Sequence, residues 1–276
     1  MNASPIASVF ERCAAENRAA LIAYLMAGDP SLADTPGLIE AVAAGGADII
    51  ELGIPYSDPL ADGPTIQAAA QRSLRAGTTF DGVLAMIAKL NRNRIAAPLV
   101  AFTYFNPVFV RGVERTARGL SASGFAGAII PDLPPEEAVG TADIFAASGV
   151  PLTFLVAPTT PSERIPMIAE RSSGFVYVVS RMGVTGAGQT LDGSVADLVE
   201  RLRPLTDKPL AVGFGVSTPD HARAIAAYAD GVIVGSALID CISSADDKPC
   251  AARELCAMLA MASRRGQVKQ SWAGTK

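Results

Sequence analysis

The stretch LIAYLMAGDPSLADTPGLIEAVAAGGADIIEL, Leu21–Leu52, carries two apolar runs, Leu21–Leu25 and Ile49–Leu52, with a helical segment between them. Neither run shows polar alternation, as expected of strands covered on both faces. Outward from this unit the plan repeats near Leu99–Thr103, Ala128–Ile130, Leu152–Val156, Phe175–Val179, Leu210–Val212 and Val232–Val234. The runs span about 210 residues in seven steps of about 30, the length of a strand, a returning helix and loops. Eight such units, no clear linker and no guarded edge strand predict an α/β chain folded as a closed (β/α)8 TIM barrel rather than an open sheet. Two departures are expected. A helix from Ile6 to Asn17, with Ser4-Pro5 as cap and first-turn proline, closes the bottom of the barrel before the first strand. The step from the second to the third strand is long enough for two helices, Thr65–Arg75 and Phe80–Leu90, one of them an insertion. The last helix is expected over Ala251–Ser263, and residues 1–276 read as a single domain with its core at about 5–265 and a flexible, basic tail at 266–276.

Composition narrows the function. Lys plus Arg is 23 against 27 for Asp plus Glu, a net charge of −4, so nothing marks the chain as a binder of nucleic acid or an anionic membrane. With 50% hydrophobic residues it can bury a large core. Its longest apolar runs fall short of the roughly 20 residues that cross a bilayer. No basic residue precedes Arg12 and Glu11 interrupts the apolar pattern, so no secretory signal is evident and the expected location is cytoplasmic. Cys13, Cys241, Cys250 and Cys256 lack CxxC spacing, and a lone histidine, His221, excludes a His-rich metal site. Acid–base chemistry then falls to carboxylates.

In such a barrel the chemistry lies where strands end and loops begin, on the C-terminal face. Glu51 stands inside an apolar strand, where a carboxylate costs several kcal/mol unless paired or neutralised. It is either a structural acid bonded to nearby loop amides or a proton-transfer group whose pKa burial raises. Asp62 closes the Pro-rich loop that follows; it either caps the next helix or accepts a hydrogen bond from a substrate N–H. Asp58, before a proline, reads as loop structure or coupling. In the second half, glycines mark three successive strand ends, at Gly183–Gly188, Gly213–Gly215 and Gly235-Ser236. Backbone amides freed there, with the N-terminus of a helix opened by Ser236, suit a phosphate. None of these is a GxxxxGK[ST] loop or a GxGxxG fingerprint, which speaks against nucleotide and NAD binding.

The string Glu51-Leu52-Gly53-Ile54-Pro55-Tyr56-Ser57-Asp58-Pro59-Leu60-Ala61-Asp62-Gly63-Pro64-Thr65-Ile66-Gln67, with Ser180-Arg181-Met182-Gly183-Val184-Thr185-Gly186, closely resembles the tryptophan synthase alpha subunit family. The likeness runs from about Pro5 to Arg264 and includes Leu25–Pro30, Tyr104–Pro107, Pro131–Pro134 and Gly213–Gly215; only the longer, basic tail departs, and Trp272 within it reads as incidental. The resemblance implies cleavage of indole-3-glycerol phosphate to indole and glyceraldehyde 3-phosphate, with no cofactor in this chain. By the same likeness Glu51 delivers a proton to indole C3 and takes one from the C3′ hydroxyl, while Asp62 binds the ring N–H. Tyr177 and Tyr104 match positions near the indole and the carboxylates, with Tyr177 expected to help the catalysis directly, Phe214 lines the ring site, and Gly186, Gly213, Gly215, Gly235 and Ser236 surround the phosphate.

The likeness further makes Ser180–Gly193 a lid that Thr185 closes against Asp62. It also makes Pro55–Leu60 and Tyr104–Val110 the face that docks a pyridoxal-phosphate-bearing beta subunit in an alpha2-beta2 assembly. Asp132 is expected to order the surroundings of Glu51 or that interface, and His221 to be exposed or capping. Two other functions compete: a stand-alone lyase releasing free indole, and a catalytically silent barrel that binds the beta partner.

Overall fold

The computed structural model describes residues 4–179, 194–213 and 215–265. Its strands are β1 (Ala20–Met26), β2 (Ile49–Gly53), β3 (Leu99–Phe102), β4 (Gly127–Ile129), β5 (Leu152–Thr153), β6 (Leu155–Val156), β7 (Val176–Val179), β8 (Leu210–Gly213) and β9 (Gly231–Val234). All pair in parallel, in the order β5-β4-β3-β2-β1-β9-β8-β7-β6. The two ends of this order are joined in the chain through Phe154 alone, so the sheet closes on itself and β5 and β6 form one stave. The eight staves of the expected barrel are thus present.

The break at Phe154 is made by a side chain from a later segment. The Phe154 N–H is taken by the Ser172 hydroxyl at 2.9 Å instead of by a strand carbonyl, while its own carbonyl still accepts from Tyr177 N at 3.1 Å.

The helices are α1 (Pro5–Ala15), α2 (Thr35–Ala44), α3 (Pro64–Arg75), α4 (Phe80–Ala88), α5 (Phe105–Arg111), α6 (Val113–Ser123), α7 (Val139–Ala147), α8 (Ile165–Arg171), α9 (Ser194–Leu202), α10 (Pro219–Ala226), α11 (Ser236–Ser244) and α12 (Lys248–Ala262). The two helices expected between β2 and β3, one of them inserted, are α3 and α4. The last helix starts three residues before the expected Ala251, because the Asp247 side chain accepts from Cys250 N and Pro249 suits its first turn. No helix among the described residues is long and apolar enough to cross a membrane.

Strand alternation sorts side chains into two cores. On β1, Leu21, Ala23 and Leu25 face outward into the layer shared with the helices, whereas Ala20 and Ile22 face the barrel axis with Ile49, Val100, Ile129, Phe175 and Ala211. Ile6, Val9, Phe10 and Cys13 of α1 join this inner cluster and plug the barrel at its N-terminal end. With the lower barrel filled by hydrocarbon, the polar groups are left to the upper layer.

The bottom is tied by Asp48. Its carboxylate accepts from Arg18 at 2.5 and 2.9 Å, from Arg12 at 3.0 Å and from Leu21 N at 2.9 Å. Burial pushes this carboxyl up, but the Arg18 bonds, the Leu21 N–H and Arg12 outweigh it and hold it below its usual value. A lowered carboxyl stabilises the fold above its unfolded pKa, and that support is lost as pH falls through the lowered folded value. Asp48→Asn is therefore expected to cost about 2 kcal/mol at neutral pH, since it leaves partly buried Arg18 with exposed Glu16 as its remaining ionic partner among the described residues. In urea melts the gap to the parent chain should close in acid; a gap independent of pH would show that the charge is not what matters.

Candidate active site

Glu51 follows Ile49 on the inward face of β2, so the strand period that buries Ile49 also carries the carboxyl to the barrel axis. Glu51 is fully buried, and neither carboxyl oxygen has a hydrogen-bond partner among the described residues. The expected alternative, an acid held by loop amides, is not what the structure has. Burial alone raises this carboxyl to about 8, so it carries its proton at neutral pH.

Asp62 comes from the loop that follows β2. Its main chain is fastened on both sides, by Asp62 N donating to Pro59 O at 3.1 Å and by Gln67 Nε2 donating to Asp62 O at 2.8 Å. The α3 helix is capped by Gly63 with no side-chain bond, so Asp62 does not cap it as the alternative reading expects. Burial lifts this carboxyl to about 6 against the lowering effect of the Tyr104 hydroxyl, leaving it mostly ionised at neutral pH. Two carboxyls in one barrel mouth thus hold opposite protonation states, because Glu51 is fully buried with no partner among the described residues while Asp62 is only partly buried and feels the Tyr104 hydroxyl. Asp58 is loop structure, accepting from its neighbour Ser57.

Tyrosines complete the layer. Tyr177 points inward from β7 and is buried. Its phenol is pushed well above its usual value by burial, then by Glu51 and Asp62. Its hydroxyl lies over β8, where a Cβ on Gly213 would come within 2.6 Å of it, and this accounts for the glycine there. Tyr24 plays the mirror part on β1. A Cβ at Gly53 would collide with its hydroxyl, its ring meets Phe102 edge-on at 5.6 Å, and its phenol is raised by burial and then by Asp62, Tyr104 and Glu51. Sequence reasoning missed Tyr24. The available signal is a tyrosine in phase with Ala20 and Ile22 on a strand otherwise aliphatic.

Of the expected phosphate residues, Gly213 ends β8 and Gly235 follows the adjacent strand β9. Gly215 has φ +79°, a conformation that favours glycine, and no atom of the described residues stands where its side chain would be. Ser236 opens α11, whose first intrahelical bonds run from Leu238 and Ile239 to Gly235 O, so the Ser236 and Ala237 amides precede them. His221 is half-buried rather than exposed. Its backbone N–H is capped by Thr218 at 3.2 Å, and its ring Nδ1 lies 3.0 Å from Gly215 O, bracing that turn. Phe214, and the segment 180–193 with Thr185 and Gly186, lie outside the described residues, as does the tail from 266.

Asp132, after β4, accepts from Phe105 N at 2.8 Å. It therefore orders the start of α5, next to Tyr104, rather than Glu51 directly. Beyond Tyr104 the rim is apolar and open: Leu60, Phe109 and Val110 are 84%, 67% and 77% exposed.

A family model for the tryptophan synthase alpha chain matches residues 10–266. Tryptophan synthase alpha chains from Cyanothece sp. and Caulobacter vibrioides are 52% and 48% identical, covering 80% and 86% of this chain and 82% and 86% of theirs. A solved Mycobacterium tuberculosis tryptophan synthase is similar with TM-score 0.88 and 41% identity, over 96% of this chain and 100% of that one. The alpha chain from Legionella pneumophila gives 0.86 and 33%, over 95% and 97%.

Proposed function

The chain belongs to the tryptophan synthase alpha chain family and cleaves indole-3-glycerol phosphate to indole and glyceraldehyde 3-phosphate, and we propose that Glu51 moves the protons while Asp62 holds the charge. The opposite protonation states of these two carboxyls carry the assignment. Carbon–carbon cleavage needs the indole to leave as a neutral ring, so C3 must first gain a proton. Glu51, protonated at neutral pH, gives that proton to C3. The ring becomes an N–H cation, and ionised Asp62 accepts its hydrogen bond where water cannot compete. The C3–C3′ bond then breaks, its electrons return to the ring, and the Glu51 carboxylate takes the C3′ hydroxyl proton as the aldehyde forms. Glu51 ends as it began, so no cofactor balance is required of this chain.

Tyr177, Tyr24 and Tyr104 wall the ring, and Gly213, Gly215, Gly235 and Ser236 hold the phosphate by backbone amides at the ends of β8 and β9. That remote grip orients the reacting carbons. Exposed Leu60, Phe109 and Val110 form the docking face for a beta subunit, which would carry pyridoxal phosphate and receive the indole in an alpha2-beta2 assembly. The cytoplasm is the location this reading implies.

The test follows indole release by the full chain across pH, alone and with a tryptophan synthase beta subunit. The kcat/KM profile should rise as Asp62 ionises near pH 6 and fall as Glu51 loses its proton near pH 8. Rates should increase with the partner present. Fast release without the partner would instead point to a free-indole lyase, and a flat profile between pH 5 and 9 would remove the two carboxyls from the chemistry.

A further inference from the structure

The strand order sets β1 between the two ends of the substrate. Gly235 and Ser236, after β9, lie on one side of it, and Glu51 on β2 lies on the other. Adjacent strands stand about 4.8 Å apart, so β9 and β2 are separated by about 10 Å, and a three-carbon chain held at one by its phosphate and at the other by its ring must cross the mouth of β1. The residue that β1 presents there is Tyr24. It pairs in register with Glu51, and a Cβ on Gly235 would stand 3.7 Å from its own Cβ. Its ring is held edge-on to Phe102 and packs with Met26 and Ile66, and this aims the hydroxyl toward β2. There a Cβ on Gly53, on the same face of the strand as Glu51, would come within 2.2 Å of it. A buried phenol usually has a hydrogen-bond partner. Tyr24 is buried, yet its hydroxyl bonds no protein group among the described residues, whereas the Tyr104 hydroxyl takes the N–H of Ala61 at 3.1 Å.

We propose that Tyr24 is a specificity-determining residue whose hydroxyl hydrogen-bonds the glycerol chain of the substrate at C2′. This rests on the reading given above, with the phosphate beyond β9 and the proton transfer at Glu51, and adds to it the recognition of the segment between them. Indole-3-glycerol phosphate brings two hydroxyls to that segment. The one on C3′ is committed to Glu51, which takes its proton as the aldehyde forms. The C2′ hydroxyl, one carbon nearer the phosphate, is left for Tyr24. A phenol and an alcohol each donate and accept, so the bond can run in either direction. Gly53 fits the same arrangement, since any side chain there would occupy the place of the tyrosine hydroxyl. A substrate without the C2′ hydroxyl leaves the buried phenol unpaired and is rejected for that reason, while a phenylalanine would not tell the two apart.

The test crosses Tyr24→Phe with 3-hydroxy-3-(indol-3-yl)propyl phosphate, which lacks the C2′ hydroxyl, keeps the one on C3′ and can still be cleaved, to indole and 3-oxopropyl phosphate. Values of kcat/KM are measured for both substrates with both full chains. Removing the hydroxyl from either partner should cost about tenfold, the worth of a hydrogen bond whose buried partner is left unpaired, and removing both should cost little more than removing one. The parent chain then prefers indole-3-glycerol phosphate about tenfold, and Tyr24→Phe shows almost no preference. Gly53→Ala, whose methyl displaces the hydroxyl and keeps the ring, should lose the preference too, and it carries the test if Tyr24→Phe does not fold. A variant that merely loosens the site lowers both rates and leaves their ratio in place. A tenfold preference that survives in the variants would overturn the proposal, and so would a parent chain that does not distinguish the two substrates. A parent chain that cleaves neither would instead overturn the reading of the site on which this inference rests.

Discussion

Glu51→Gln is expected to lower indole release by about a thousandfold or more, within the range attributed to positioned acid–base groups, while making the barrel more stable at pH 8. The two effects have one cause. A carboxyl at the barrel axis with no donor to its oxygens keeps its proton up to about pH 8, whereas in the unfolded chain it ionises near 4.5. Its folded pKa is raised, so stability declines as pH climbs from 4.5 to 8 and levels off above, because only the unfolded state gains the free ionisation. Gln has the same shape and cannot ionise, and it escapes this cost, on the order of a few kcal/mol by pH 8. Melting temperatures of parent and variant should coincide near pH 4 and diverge in the variant's favour toward pH 8. A structural acid would behave the opposite way, its loss destabilising the fold at every pH. A variant that is inactive and unstable at pH 8 would sink the assignment, as would one that turns over normally.

That Glu51 is legible in sequence follows from its setting, an acid inside Ile49–Leu52, where chain chemistry tolerates a carboxyl poorly. The barrel is legible for a related reason. Strands buried on both faces must be apolar throughout, and their spacing must fit a returning helix, so Leu21–Leu25 and its successors leave few architectures open. What the sequence withholds depends on contacts between distant segments. The break at Phe154 is made by a hydroxyl from Ser172, and the role of Asp132 is made by an amide at Phe105, 27 positions away. Tyr24 and Tyr177 look alike in sequence, as aromatic residues in apolar strands. Only the stagger of the closed sheet sets one over Gly53 and the other over Gly213, with both phenols facing the same two acids. His221 illustrates a further limit: the residues before it correctly suggest a cap, yet the ring's partner is the carbonyl of Gly215. Local chemistry predicts the backbone bond, and the tertiary turn decides the side chain.

Asp62→Asn is expected to lower kcat by about a hundredfold to a thousandfold, the cost of removing one preorganised charge-stabilising group, with little change in KM. The indole nitrogen is neutral in the bound substrate and gains positive charge only once Glu51 has protonated C3. An anion facing it therefore stabilises the transition state far more than the ground state. Asn keeps the size and one acceptor oxygen but no charge, and it adds an N–H₂ that repels the ring N–H in its other orientation. The fold should not suffer, since α3 is capped by Gly63 and the segment's main-chain ties to Pro59 and Gln67 do not use the carboxylate. The pH profile separates this role from simple substrate binding. The limb near pH 6 belongs to Asp62 and should vanish in the variant, while the limb near pH 8 belongs to Glu51 and should remain. A rise in KM at unchanged kcat would make Asp62 a uniform binder of the ring, and an acid limb that survives near pH 6 would assign that ionisation to another group.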